Sequence, residues 1–228
     1  MSSNFHPDGT LFIVSGPSGA GKTTLIDRVR NALRPLNIQL YFSVSHTTRK
    51  PRAGEIPGIS YHFAGDEEFQ AMVRRGEFLE HAHVHAHWYG TSKAEVLGRL
   101  QSGQDVILDI DYQGAKQIAE DPDLAPRSLN IFIFPPSLDT LEQRLRQRGV
   151  NSEEEIQLRL RKAIDEIDEG KDFYEYIIIN DNLDEAAECL KAAIIAKKLQ
   201  TKTALEAIHT MAERLKEEDR NGRTARRN

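Results

Sequence analysis

"LFIVSGPSGAGKTTL", Leu11–Leu25, is the stretch that decides the fold. Leu11–Ser15 is a short apolar run that stops at glycine, as a buried strand does. Gly16–Thr23, "GPSGAGKT", matches G-x-x-x-x-G-K-[ST]. Beyond it Leu25, Val29 and Leu33 recur at helical spacing. A strand, a glycine loop and a helix in that order let backbone N–H groups turn inward around a polyphosphate, while the new helix points its positive end at the same anion. Lys22 reaches the outer phosphates, and the Thr23 hydroxyl is placed to ligate Mg²⁺.

Outward from this loop, strands and helices alternate. "LYFSVS" (Leu40–Ser45) reads as a second strand, "DVILDID" (Asp105–Asp111) as a buried strand ending in acids, and "LNIFIFPP" and "YIIIN" (Tyr176–Asn180) as two more. "DEEFQAMVRRG", "SKAEVLGRLQSG", "SLDTLEQRLRQRG" and "SEEEIQLRLRKAIDEI" read as helices. Two of them open on capping-box spacings, Ser92/Glu95 and Ser152/Glu155. The expected class is α/β: a P-loop NTPase-type parallel sheet with helices on both faces. That core takes about 9–44, 94–136 and 169–200; the segments at about 45–93 and 137–168 read as insertions at its carboxyl edge. Residues 201–228 form an extension, in which Leu205, Ile208, Met211, Ala212 and Leu215 have helical spacing before a basic tail with Arg220, Arg223, Arg226 and Arg227. A contact between subunits is the alternative use of that extension, so a homo-oligomer stays open.

Composition narrows the class. Charged residues are 29% and hydrophobic ones 39%, with a formal net charge of −5, so no global basic field points to nucleic acid. No apolar run approaches membrane-spanning length, and the start carries no secretory pattern. The single cysteine, Cys189, reads as a small buried residue of an amphipathic helix. A reducing cytoplasm is the expected home.

The chemistry beyond the phosphate loop lies in the insertions. "VILDID" brings Asp109 to the sheet's carboxyl edge, with Asp111 leaning the same way; one of them can hold a water of the Mg²⁺ shell, and helix capping is the other reading of Asp111. "SHTTRKPRAGE" supplies Arg49 and Arg52 within one shaped loop, a spacing that suits a compact doubly charged phosphate. "FLEHAHVHAHWY" reads as a strand or a hairpin; in "HAHVHAHWYG" (His81–Gly90), His81, His83, His85 and His87 share one side if the segment is a single strand. A metal site is one reading of that tract and a polar strand face the other; we take the polar face.

The motifs "GPSGAGKTTL", "SVSHTTRKPRAGE", "ISYHF", "FLEHA", "WYGTS", "ILDIDYQG" and "PPS…LEQRLRQRG" stand in the order found in guanylate kinases, and the chain resembles that family from roughly Leu11 to Lys198. The resemblance implies Mg²⁺-dependent transfer of the γ-phosphoryl group of ATP to GMP, with a GMP-binding subdomain at about 45–93 and a lid at about 137–168. It implies that ATP lies on Gly16, Pro17, Ser18, Gly19, Ala20, Gly21, Lys22, Thr23 and Thr24. By the same likeness Ser45, Arg49, Arg52, Tyr61 and Tyr89 would hold the GMP phosphate, and Glu80, Thr91 and Asp109, with Asp111 nearby, would recognise guanine. Arg144, Arg148 and Arg159 would gather round the transferring phosphoryl with Lys22 and Arg49. Guanine presents N1–H and N2 amino donors that one carboxylate accepts together, and an O6 acceptor that wants a hydroxyl. The chain departs from the pattern in "AHWYG", where Ala86 and His87 replace the Gly and Asn common in the family, and Thr91 stands where Ser is frequent. A non-enzymatic guanylate-kinase-like module and a sugar-phosphate kinase are the rivals. The first typically loses the phosphate-loop residues retained here, and the second has no use for Glu80, Thr91 and Asp109.

Overall fold

The computed structural model describes residues 9–52, 54–84, 86–147, 149, 152–170, 172–200 and 212–213. Its centre is an all-parallel sheet of β1 (Leu11–Ser15), β2 (Leu40–Phe42), β7 (Asp105–Asp109), β8 (Ser128–Phe134) and β9 (Tyr176–Ile179), in the spatial order β2-β7-β1-β8-β9. Alternate residues of β1 serve opposite faces. Phe12 and Val14 pack with Leu25, Val29 and Leu33 of α1 (Lys22–Leu33) and Leu190 and Ile194 of α7 (Leu183–Lys198). Leu11 and Ile13 pack with Val96 and Leu100 of α3 (Lys93–Gln101) and Ala115 and Ile118 of α4 (Tyr112–Glu120). Both faces are therefore apolar, which is why these strands read as continuous hydrophobic runs.

A second sheet, separate from the first, is made of β3 (His46–Thr47), β4 (His62–Phe63), β5 (Phe78–Val84) and β6 (His87–Ser92), in the order β4-β3-β6-β5. Between β4 and β5 runs α2 (Asp66–Arg74), which lays Phe69 against Phe78 at a 4.5 Å ring separation. Gly76, at φ 66°, lets the chain turn out of that helix. Two further helices, α5 (Leu138–Gln147) and α6 (Glu153–Gly170), share a small core of Leu141, Leu145, Ile156 and Ala163.

Several expectations change. The second strand stops at Phe42, and Ser43–Ser45 lead into the other sheet instead. Of the two readings open for the histidine tract, strand or hairpin, it is the hairpin, with Val84 opposite His87. Pairing with Val84 puts His87 on the face opposite His81 and His83; His83 packs on Trp88 at 4.9 Å, and His85 lies outside the described residues. Among the described residues no group of three or more His, Cys, Asp and Glu side chains is placed to hold a metal. Cys189 is exposed, because α7 turns Ala186, Ala187 and Leu190 inward and position 189 outward. The helix α4 is an addition to the expected elements. It starts because Asp111 caps it, accepting the Gly114 N–H at 3.0 Å. Ser152 and Glu155 form the full reciprocal capping box, whereas Glu95 gives its carboxylate to the Tyr41 hydroxyl at 2.5 Å and only its N–H to Ser92. Of the carboxyl-terminal extension only residues 212 and 213, both helical, are described; the expectations for Leu205, Ile208, Met211, Leu215 and the basic tail fall outside.

Candidate active site

The loop after β1 is shaped by glycines that nothing else replaces. Gly16 has φ 139°, and a Cβ there would sit 2.1 Å from the Ile133 carbonyl oxygen; Gly21 has φ 88°, with the Asn180 amide 2.5 Å from where its Cβ would lie. Lys22 opens α1 and donates from Nζ to the Gly16 carbonyl at 2.7 Å, so its ammonium curls back over the loop. Because Val14 pairs with Asp109 in register, the end of β7 stands beside that loop. Asp109 accepts the Thr23 hydroxyl at 2.8 Å and lies 3.6 Å from Lys22 Nζ. A hydroxyl and a carboxylate side by side are the hard oxygen donors that magnesium takes, so the residues present fit that ion.

Two residues on, Asp111 points toward the second sheet. Burial raises its carboxyl above the usual range, against the pull of the Gly114 N–H and of Lys22. Across from it Glu80, 3% exposed, accepts the Thr91 hydroxyl at 2.6 Å. Burial pushes Glu80 up to about 7, Asp111 adds to the rise, and Thr91 opposes it. Gly114 touches this carboxylate: a Cβ there would lie 2.3 Å from Glu80 Oε2. One residue along β5, the Gln117 side chain accepts the His81 N–H at 3.2 Å and donates to the His81 carbonyl at 2.9 Å. Thus α4 holds the strand that carries Glu80.

On the other arm of the same sheet, Arg49 is buried with its guanidinium over the Tyr61 ring at 5.3 Å, and Tyr61 meets Tyr89 edge-on at 6.0 Å. Burial lifts the Tyr61 phenol to about 12, with Asp109 adding to the rise, so this aromatic pair lies near the phosphate-loop acid. Ser45 is partly buried and Arg52 exposed. Arg144 on α5 donates to the Asn180 carbonyl at 3.1 Å, and the Asn180 amide donates to the Ala20 carbonyl at 2.7 Å. Gly19, Thr24, Arg144, Asn180 and Leu183 border a cavity of about 400 Å³ on the outer side of the phosphate loop. One protein thus carries a phosphate loop with its acid, a buried carboxylate–hydroxyl pair and an arginine on two tyrosines.

A family model described as guanylate kinase matches residues 8–197. The chain is 46% identical over 197 residues to a guanylate kinase of Pseudomonas fluorescens, covering 86% of this chain and 92% of that one. It is equally 46% identical over 194 residues to one of Desulfotalea psychrophila, covering 85% and 92%. The crystal structure of guanylate kinase from Anaplasma phagocytophilum superposes with a TM-score of 0.67 at 29% identity, over 86% of this chain and 90% of that one.

The chain belongs to the guanylate kinase family.

Within this guanylate kinase framework the residues singled out from sequence fall into three groups. Lys22, Thr23 and Asp109 meet at the phosphate loop; Glu80, Thr91 and Asp111 meet between the two sheets; Arg49, Tyr61 and Tyr89 meet beside β3. Asp109, expected with guanine, is bonded to Thr23 rather than to Glu80 or Thr91. Arg144 and Arg159 sit on α5 and α6; Arg148 lies outside the described residues.

Sequence reasoning missed four residues. Asn180 joins the phosphate loop to α5, and its position at the end of an apolar strand was the available signal. Gly114 and Gln117 were invisible because α4 was. Glu166 on α6 is the fourth: its carboxyl is pushed up to about 7 by burial, opposed by nearby Lys22, and its Oε2 is buried without a hydrogen-bond partner among the described residues.

Proposed function

We propose that this protein is an ATP:GMP phosphotransferase working in the cytoplasm, and that it also accepts dGMP. The observation that carries the reading is the buried Glu80–Thr91 pair, a carboxylate and a hydroxyl bonded to each other near Asp111. Ionised Glu80 accepts from guanine N1–H and N2, and the Thr91 hydroxyl, turning away from Glu80 as those donors arrive, serves O6. Adenine sets a lone pair against the carboxylate, and a site built on hydrogen bonds rejects such an analogue by about 10⁴-fold in favourable cases. Asp111 borders this guanine site, while Asp109 serves the phosphate loop through Thr23 and Lys22.

Arg49, Arg52, Ser45, Tyr61 and Tyr89 hold the GMP phosphate. The triphosphate of ATP lies on Gly16–Thr24, with its adenosine in the cavity bordered by Arg144 and Asn180. Thr23, and Asp109 through water, are the residues that would hold Mg²⁺, which when bound supplies charge neutralisation at the β- and γ-phosphate oxygens. The acceptor phosphate is ionised at neutral pH, so no general base is needed. A phosphate oxygen of GMP forms the new bond to the γ-phosphorus as the bond to the β–γ bridging oxygen breaks, and ADP leaves with the electron pair. Lys22, Arg49, Arg144, Arg148 and Arg159 neutralise the spreading charge, and closure of α5 and α6 keeps water from the phosphoryl group.

One assay tests this: ADP release with GMP, dGMP, AMP and ribose phosphates as acceptors. Turnover with GMP and dGMP and none with the others is the expected result. Equal turnover with AMP, or with a sugar phosphate alone, defeats it.

A further inference from the structure

Glu55 lies in the loop between β3 and β4, and the reading above gives it no role. Its carboxylate gathers three donors. Arg49 Nη2 donates to Oε1 at 2.7 Å, Arg49 Nη1 to Oε2 at 3.0 Å, and the Arg52 backbone N–H to Oε2 at 2.7 Å. The Glu55 N–H donates in return to the Arg52 carbonyl at 3.1 Å, so the turn from Arg52 to Glu55 is closed from both ends. Arg49, 9% exposed, also spends Nη1 on the Lys50 carbonyl at 2.7 Å. Its flat face rests on Tyr61 and its charge on the Tyr89 hydroxyl.

Such a carboxylate in an anion site has two opposite uses. It can occupy the place of the incoming phosphate and have to be expelled, or it can brace the arginine and stay. The geometry favours the brace. Glu55 takes the outer edge of the guanidinium, formed by Nη1 and Nη2, so the Nε edge faces the Tyr89 hydroxyl and is the edge an incoming oxygen can share. Expelling it would also open the Arg52 turn, unmaking the loop that presents both arginines. A bracing contact saves the rotamer freedom that a free arginine would lose on binding. Arg49 holds the Glu55 carboxyl below the usual carboxylate range, so the brace is ionised at working pH.

We propose that Glu55 is a positioning residue for the acceptor phosphate, fixing the outer edge of Arg49 and the turn at Arg52 so that the Nε edge of Arg49 stands ready for the anion. The inference rests on the reading of Arg49 as a phosphate-binding group, and the test separates the two.

The experiment is calorimetric binding of GMP and of guanosine, which lacks the phosphate, to the full chain and to Glu55→Gln, Glu55→Asp and Arg49→Lys. Glu55→Gln keeps the shape but sets an amide NH₂ against Arg49 donors; Glu55→Asp keeps the charge but falls short by one methylene. The expected result is GMP bound roughly tenfold more weakly by both Glu55 variants, with guanosine affinity unchanged. A general loosening of the fold would weaken both ligands together and overturn the proposal. Tighter GMP binding by Glu55→Gln also overturns it, since Glu55 would then be a competitor. Should one Glu55 variant fail to fold, the other still gives the sign. If Arg49→Lys weakens GMP but neither Glu55 variant does, only the Glu55 proposal falls. If Arg49→Lys leaves GMP unchanged, the assignment of Arg49 fails and the proposal falls with it.

Discussion

The Thr91 hydroxyl donates to Glu80 Oε1 at 2.6 Å across the β5–β6 hairpin, and both side chains are buried. Thr91 thereby holds one carboxylate oxygen, while the other lies against Gly114. Glu80→Gln keeps the shape but faces a guanine donor with an amide donor, a loss of about 2–4 kcal/mol. That corresponds to a roughly 30- to 1,000-fold fall in kcat/KM for GMP, with Kd for ATP unchanged. Steady-state kinetics and ATP titration of the variant check it; equal loss for both nucleotides would take Glu80 out of the acceptor site.

A pH dependence follows from the same carboxyl, which titrates near 7 in the free protein because burial disfavours its charge. Guanine needs the ionised form. Guanosine, which has no phosphate to titrate nearby, should bind about tenfold more tightly at pH 8 than at pH 6, with proton uptake by buffer below pH 7. The stability sign is the reverse. A carboxyl raised from 4.5 to about 7 on folding contributes stability below 4.5 that is lost as pH rises through 7. Urea midpoints of Glu80→Gln should therefore gain on those of the unsubstituted chain between pH 5 and pH 8. A pH-independent guanosine Kd would count against this account.

Lys22→Ala should cut kcat by roughly 10²–10³-fold, because the ammonium meets charge that develops in transfer. Its present partners are the partly buried Gly16 carbonyl and Asp109, and Asp109 keeps its Thr23 bond in the variant, so the thermal midpoint should fall only modestly. Near-normal turnover would be the failing result.

Gly114→Ala reverses a general rule. Alanine in a helix stabilises it by about 1 kcal/mol over glycine. Here the new methyl would press on Glu80 Oε2, so the expected outcome is a raised KM for GMP with KM for ATP unchanged. An unaltered KM for GMP would show that Glu80 yields freely.

Ala86 holds φ 67° in the hairpin turn, a left-handed conformation that costs a non-glycine residue roughly 1 kcal/mol or more. Ala86→Gly should raise stability by about 1 kcal/mol, read as a shift of the urea midpoint at constant slope, without altering GMP kinetics. A lower midpoint would mean that the gain in chain entropy of the unfolded state outweighs the strain.

Much of the site was legible because its parts are local. Gly16, Gly21, Lys22 and Thr23 lie within one turn of chain, and the need for positive φ at Gly21 is written in the residue itself. Asp109 was legible from its place at the end of an apolar strand. What was not legible is what arrives from a distance. Asn180 reaches the Ala20 carbonyl from 160 residues away. The helix α4 is only nine residues long, and the contacts of its Gly114 and Gln117 with β5 arise from packing between elements far apart in sequence. The histidine tract stayed open between strand and hairpin because alternation shows which residues share a face only until the chain turns, and Val84 and His87 face each other across a turn.

By itself the sequence determined the parallel α/β core, the phosphate loop and the kinds of side chain available to meet a nucleotide, since strand and helix periods and glycine conformations are short-range properties. Only the tertiary structure decided which carboxylate does what. Asp109 and Asp111 are two residues apart on one strand end, yet β-pairing to Val14 ties the first to Thr23, while the cap of α4 turns the second toward Glu80. The sheet register sets those partners, and partners together with burial set the charge each carboxyl carries.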